Sequence, residues 1–193
     1  MTDTIHPAEA ASNRADALEE ADDIEGAIRA MSEAIELAPE KAKYRALRGR
    51  LLALQEKWKA AIRDFDSALS LRPNHPTWLY GRARAKAHLD DLDGAIADFE
   101  RCIAFDPAAA DAWAQIGDIH RLRRNWEQAI SAYERAIELD LNDKAELEDL
   151  ILEMKEQIWL RDNGQLAQSP TRTSKQNSVS PSEDPEHIRT WLI

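Results

Sequence analysis

At 193 residues, 44% hydrophobic and with only six glycines, the chain has material for a continuous core but too little glycine for a loop-rich or β-turn-rich fold. A net charge of −11 disfavours indiscriminate binding to nucleic acid. No run of about 20 apolar residues could span a bilayer, residues 1–13 carry no secretory pattern, and the single cysteine, Cys102, excludes an intramolecular disulfide or a cysteine-based metal site, so the expectation is a cytoplasmic protein without membrane contact.

Apolar residues recur every three to four positions throughout, which predicts an all-helical chain. Residues 1–7 read as a disordered N-terminus. Two helices are predicted next, over about 8–21 and 24–37, the first rich in alanine and acid and the second carrying Gly26, Ala27, Ile28, Met31 and Ala34. Residues 42–75 repeat the pattern with Gly49, Leu51, Leu52, Trp58, Ala61, Ile62 and Phe65. Small residues mark where paired helices would cross, and large ones fill the flanks. Residues 76–109 follow with Trp78, Ala83, Leu92, Ala95, Phe99 and Cys102, and residues 110–143 with Trp113, Gly117, Trp126, Ala129, Tyr133 and Ala136. Because Trp58 and Trp126 share one place, they read as packing residues rather than ligand platforms, and Cys102, in place of an alanine, reads the same way. A further amphipathic helix is predicted over 144–162, with Leu147, Leu150, Ile151, Met154 and Ile158 on one face and no partner helix after it. It is expected to cap the fourth copy, and Asn163-Gly164 to end it. Residues 163–193 are Ser/Pro-rich, too poor in apolar surface to offset ordering entropy, and are expected to be disordered up to the apolar segment Trp191-Leu192-Ile193.

The charge is uneven. Residues 1–41 hold 11 acidic and 3 basic side chains, whereas residues 42–75 hold 8 basic and 3 acidic. The basic run Lys41, Lys43, Arg45, Arg48 and Arg50 is the only feature that favours a nucleic-acid partner, and only part of it can share one helical face. No phosphate-cradling glycine loop, metal-ligand histidine pair or nucleophile motif is present, so neither an enzyme, a cofactor nor a small-molecule substrate is expected.

The step between copies is 34 residues with no insertion: Ala27, Ala61, Ala95 and Ala129; Met31, Phe65, Phe99 and Tyr133; Ala34, Ala68, Cys102 and Ala136; Pro39, Pro73 and Pro107. With Ala15, Gly49, Ala83 and Gly117, this pattern resembles the tetratricopeptide repeat, in four copies over about residues 8–141. The resemblance implies an α-solenoid of antiparallel helix pairs, a superhelix whose first helices line a concave groove for a peptide or partner segment. It places Lys43, Leu47, Arg50 and Leu54 of the second copy in that groove, with Tyr80, Arg84 and His88 of the third and Gln115, Asp118 and Arg121 of the fourth. Arg50 and Arg84 then occupy equivalent places on neighbouring helices, suited to a carboxylate in an acidic or C-terminal partner segment. The alternative is that they balance Asp16 and Asp118. The carboxylate clamp by which some members of the family grasp chaperone termini needs lysine, asparagine, asparagine, lysine and arginine. This chain offers Ser12, Asp16, Leu47, Thr77 and Gly81, or Ala46, Arg50, Gly81, Asp111 and Gln115, so that signature is absent. The reading is therefore a non-enzymatic adaptor or chaperone-like scaffold. An alternative has residues 165–193 occupying the chain's own groove, or a neighbour's by self-association, until a partner displaces them.

Overall fold

A computed structural model of the protein describes residues 6–139 and 144–164. The described residues form nine helices and no strand: α1 Pro7–Glu20, α2 Ile24–Leu37, α3 Ala42–Leu54, α4 Trp58–Leu71, α5 Pro76–His88, α6 Leu92–Phe105, α7 Ala110–Leu122, α8 Trp126–Glu138 and α9 Lys144–Asp162. The fold is all-α, of the α-solenoid class built from helix pairs. Residues 1–5, 140–143 and the Ser/Pro-rich segment 165–193 lie outside the described residues.

Each pair is joined by a three-residue turn, and the middle residue of that turn has positive φ every time: Asp22 at 61°, Glu56 at 56°, Asp90 at 66° and Arg124 at 58°. These residues are 34 apart, so the repeat extends to the backbone conformation that reverses the chain. Starts of helices are set locally. Pro7 opens α1 behind His6, whose Nδ1 accepts the Ala8 amide at 3.2 Å. Asp23 and Asp91 cap α2 and α6 by accepting the amides of Gly26 at 2.8 Å and Gly94 at 3.1 Å.

The chain divides into two compact units, residues 1–107 and 108–193. In the first, α1 packs on α2, α3 on α4 and α5 on α6, and successive pairs meet through α2 with α3 and α4 with α5. Ala27, Ala61 and Ala95 are each fully enclosed at the crossing points. Met31, Phe65 and Phe99 fill the space beside them, each such burial contributing roughly 1.5–3 kcal/mol. Cys102 is buried, and that burial pushes its thiol up to about 11, with Asp106 adding to the shift, which leaves it a packing group rather than a nucleophile.

In the second unit α7 packs on α8 and α8 on α9. Leu147, Ile151 and Met154 are buried against Ala129, Ile130, Tyr133 and Ala136. Helix α9 keeps the 34-residue register of α7, but Ile151 stands where α7 has Gly117. The small residue that lets a second helix cross closely is gone.

Candidate functional site

One face of the first unit is built by first helices. Helix α3 contacts α5 directly. From α3, Arg50 also reaches α1, donating Nη1 and Nη2 to the Glu19 carboxylate at 2.5 and 2.6 Å. This fork lowers the Glu19 carboxyl from its usual range, chiefly through the hydrogen bonds from Arg50. The Arg50 guanidinium is still about half exposed, at 49% of its side-chain area. Arg50 is thus charge-balanced by Glu19, with Asp16 adding to the field, and does not stand beside Arg84 as a bare pair of cations.

The remaining predicted groove residues of this unit are accounted for individually. Lys43 is exposed, its Nζ 5.0 Å from the Tyr44 ring centroid. Leu47 is half-buried against the core, whereas Leu54 is 53% exposed. The Arg84 guanidinium lies 6.0 Å from the Tyr80 ring centroid, and Tyr80 meets Phe99 edge-on at 5.4 Å. His88 at the end of α5 stacks flat on Trp58 at the start of α4 at 3.9 Å, and Trp58 is half-buried. At Gly81 a Cβ would meet the Phe65 ring at 2.6 Å, so this place serves the contact between α4 and α5.

Gln115, Asp118 and Arg121 belong to the second unit. Tyr133 donates its hydroxyl to Asp118 at 2.7 Å and accepts from Arg121 Nε at 3.2 Å, while Arg121 Nη2 lies 3.8 Å from Asp118. Burial raises the Asp118 carboxyl to about 6, against the opposing pull of Tyr133 and Arg121, and burial also moves the Tyr133 hydroxyl far upward. Gln115 is buried, and its Oε1 has no hydrogen-bond partner.

Sequence reasoning missed a second periodic feature. Arg48 forks onto Asp64 at 2.7 and 2.8 Å and donates to Ser32 Oγ at 3.1 Å. Thirty-four residues on, Arg82 forks onto Asp98 at 2.7 and 2.6 Å and donates to Asp66 at 2.6 Å. Each arginine ties its own helix pair together and reaches back to the preceding one. Lys86 adds a third bond to Asp98 at 2.7 Å. The signal was in the sequence, since Arg48 and Arg82, Asp64 and Asp98, and Ser32 and Asp66 each share a repeat place. The three arginines of the basic run are bonded internally, Arg45 to the Pro39 carbonyl, Arg48 to Asp64 and Arg50 to Glu19, while Lys41 and Lys43 are exposed. Among the described residues no group of three His, Cys, Asp or Glu side chains could hold a metal ion, and no helix is long and apolar enough to cross a membrane.

Paired helices on a 34-residue step, turned at one repeated αL position, define a helical-repeat protein. Tetratricopeptide repeat family profiles match residues 12–76, 50–115 and 110–143, and the chain belongs to that family. No curated protein matches it. Among solved structures it is similar to MamA 41-end from Desulfovibrio magneticus RS-1, at 22% identity and a TM-score of 0.73 over 83% of this chain and 89% of that one. It is similar also to a tetratricopeptide repeat protein from Parabacteroides merdae ATCC 43184, at 20% identity and a TM-score of 0.69 over 78% of this chain and 61% of that one. The first TPR of Spaghetti (RPAP3), solved bound to the HSP90 peptide SRMEEVD, is 23% identical with a TM-score of 0.57 over 61% of this chain and 93% of that one. At these identities the likeness is one of fold.

Proposed function

We propose that this chain is a non-enzymatic protein-interaction scaffold that holds an extended segment of a partner protein along the α1, α3 and α5 face of its first unit. Leu47 and Leu54 offer apolar contact, Lys43 an exposed cation, and Tyr80 a ring with the Arg84 guanidinium over it at 6.0 Å. The observation that carries the reading is the Arg50–Glu19 fork, because Glu19 occupies the place a partner carboxylate would take and displays the geometry in which Arg50 receives one. An acidic or C-terminal segment therefore competes with Glu19 for Arg50. A tetratricopeptide repeat bound to a peptide in a solved relative supports this class of partner. The clamp residues expected for a chaperone terminus do not occur here, so the segment recognised is a different one. Consumption of Arg45, Arg48 and Arg50 in internal bonds argues against nucleic acid as the ligand.

The test is affinity capture from the source cell with the full chain and with Lys43→Ala/Leu47→Ala/Leu54→Ala. A partner recovered by the first and lost by the second supports the face; recovery of the same partners by both contradicts it.

A further inference from the structure

Helix α9 has two apolar faces. Leu147, Ile151 and Met154 are buried against α8. On the side turned away from that contact, Leu152 is 69% and Trp159 56% exposed. They are seven residues apart, two helical turns, and therefore stand one above the other about 10 Å apart. Ala145, exposed one heptad earlier, continues the line. An isolated exposed leucine is ordinary, but a leucine and a tryptophan aligned on one face of a capping helix form an unpartnered stripe.

The charges beside this stripe say what fits it. Asp149, Glu153 and Glu156 are exposed and lie along one flank of the Leu152–Trp159 line at helical spacing. Among the described residues none of these three side chains is in an ion pair or hydrogen bond. The cations of the helix are committed elsewhere: Lys144 to Glu148 at 3.9 Å, Lys155 to Glu134 at 3.2 Å and Arg161 to Glu127 at 2.9 Å. Among the described residues, one flank of the stripe is thus acid without an ion-pair partner, while Lys155, bonded to Glu134, and Glu148 border the other. A second copy of this helix packed antiparallel about the midpoint of Leu152 and Glu153 would set acid flank against acid flank, with Asp149 level with Glu156, which disfavours that pairing.

We infer that the outer face of α9 is a docking surface for a cationic amphipathic helix of another protein, one whose apolar stripe covers Leu152 and Trp159 and whose lysines or arginines reach Asp149, Glu153 and Glu156. This surface is separate from the α1, α3 and α5 face and does not depend on it.

The experiment uses the full chain and two labelled synthetic helices of identical leucine and alanine pattern, one with lysine and one with glutamate on the polar flank, read by fluorescence anisotropy. The lysine helix is expected to bind about tenfold more tightly than the glutamate helix, with affinity falling as salt rises. Leu152→Ser/Trp159→Ser is expected to weaken the lysine helix about tenfold, and Asp149→Lys/Glu153→Lys/Glu156→Lys to reverse the preference between the two helices. These side chains are exposed, so circular dichroism of the variants should match the parent. Lys43→Ala/Leu47→Ala/Leu54→Ala should change nothing, which separates this surface from the groove. The inference is overturned if the lysine helix binds the α9 variants as well as it binds the parent, or if the full chain binds neither helix. Two other occupants would also overturn it: residues 165–193, if binding appears only after their deletion, and a second copy, if sedimentation shows self-association that Leu152→Ser/Trp159→Ser abolishes.

Discussion

Arg82 is the side chain on which most depends locally. Its side chain is 14% exposed, and its fork neutralises Asp98, whose carboxylate is nearly enclosed. Burial works against that charge, but bonds from Arg82 and Lys86 outweigh it and hold the Asp98 carboxyl below its ordinary value. The stabilisation is therefore present above about pH 4 and is lost as pH falls through the lowered folded-state value. Arg82→Ala should cost about 2–4 kcal/mol in urea denaturation at pH 7, because it strands a buried carboxylate with only Lys86. Adding Asp98→Asn should recover part of the loss. Asp118 behaves in the opposite sense. Its carboxyl is raised to about 6 by burial, so the folded chain holds a proton that the unfolded chain releases, and stability falls as pH rises from about 4 to about 6. Asp118→Asn keeps an acceptor for the Tyr133 hydroxyl and removes the charge. It should raise stability at pH 7 by on the order of 1–3 kcal/mol and flatten that part of the pH profile.

At the scale of the element, each repeat depends on how closely its two helices cross. A Cβ at Gly117 would sit 2.5 Å from the Tyr133 ring, which is fully buried and pinned by Asp118 and Arg121. At the equivalent Gly49 the nearest atoms, the Ala61 carbonyl oxygen and Asp64 Cβ, are 3.3 Å away. Gly117→Ala should cost about 1–3 kcal/mol, whereas at Gly49 the helix-propensity gain offsets most of a smaller clash. Urea midpoints of the two variants, measured side by side, check this ordering. The helical repeat was legible in the sequence, because Ala27, Ala61, Ala95 and Ala129 set the register, and the three helices whose bounds were predicted, α1, α2 and α9, agree to within a residue. The Arg50–Glu19 fork was not, since it joins side chains 31 residues apart whose meeting is decided by how α1 and α3 pack. The Arg48 and Arg82 clamps could have been read from their common spacing. The second stripe of α9 escaped because Leu152 and Trp159 fall between the apolar positions that define its buried face.

At the scale of the described chain, three arginines of the second repeat are bonded internally: Arg45 to the Pro39 carbonyl, Arg48 to Asp64 and Ser32, and Arg50 to Glu19 of the acidic first repeat. Arg48 and Arg82 also bind helix pairs to one another. Under the function proposed above, recognition is by displacement: an incoming carboxylate would compete with Glu19, which is held by Arg50, while Leu47 and Leu54 would add apolar contact. Affinity is then set by the balance between an internal ion pair and an external one, both solvent-screened and individually weak. The direct measurement is calorimetric titration of the partner recovered by capture against the full chain, Glu19→Gln and Leu47→Ala/Leu54→Ala. Displacement predicts tighter binding to Glu19→Gln and about tenfold weaker binding to the double leucine variant. Equal affinity for all three proteins would contradict it and place the partner on another surface.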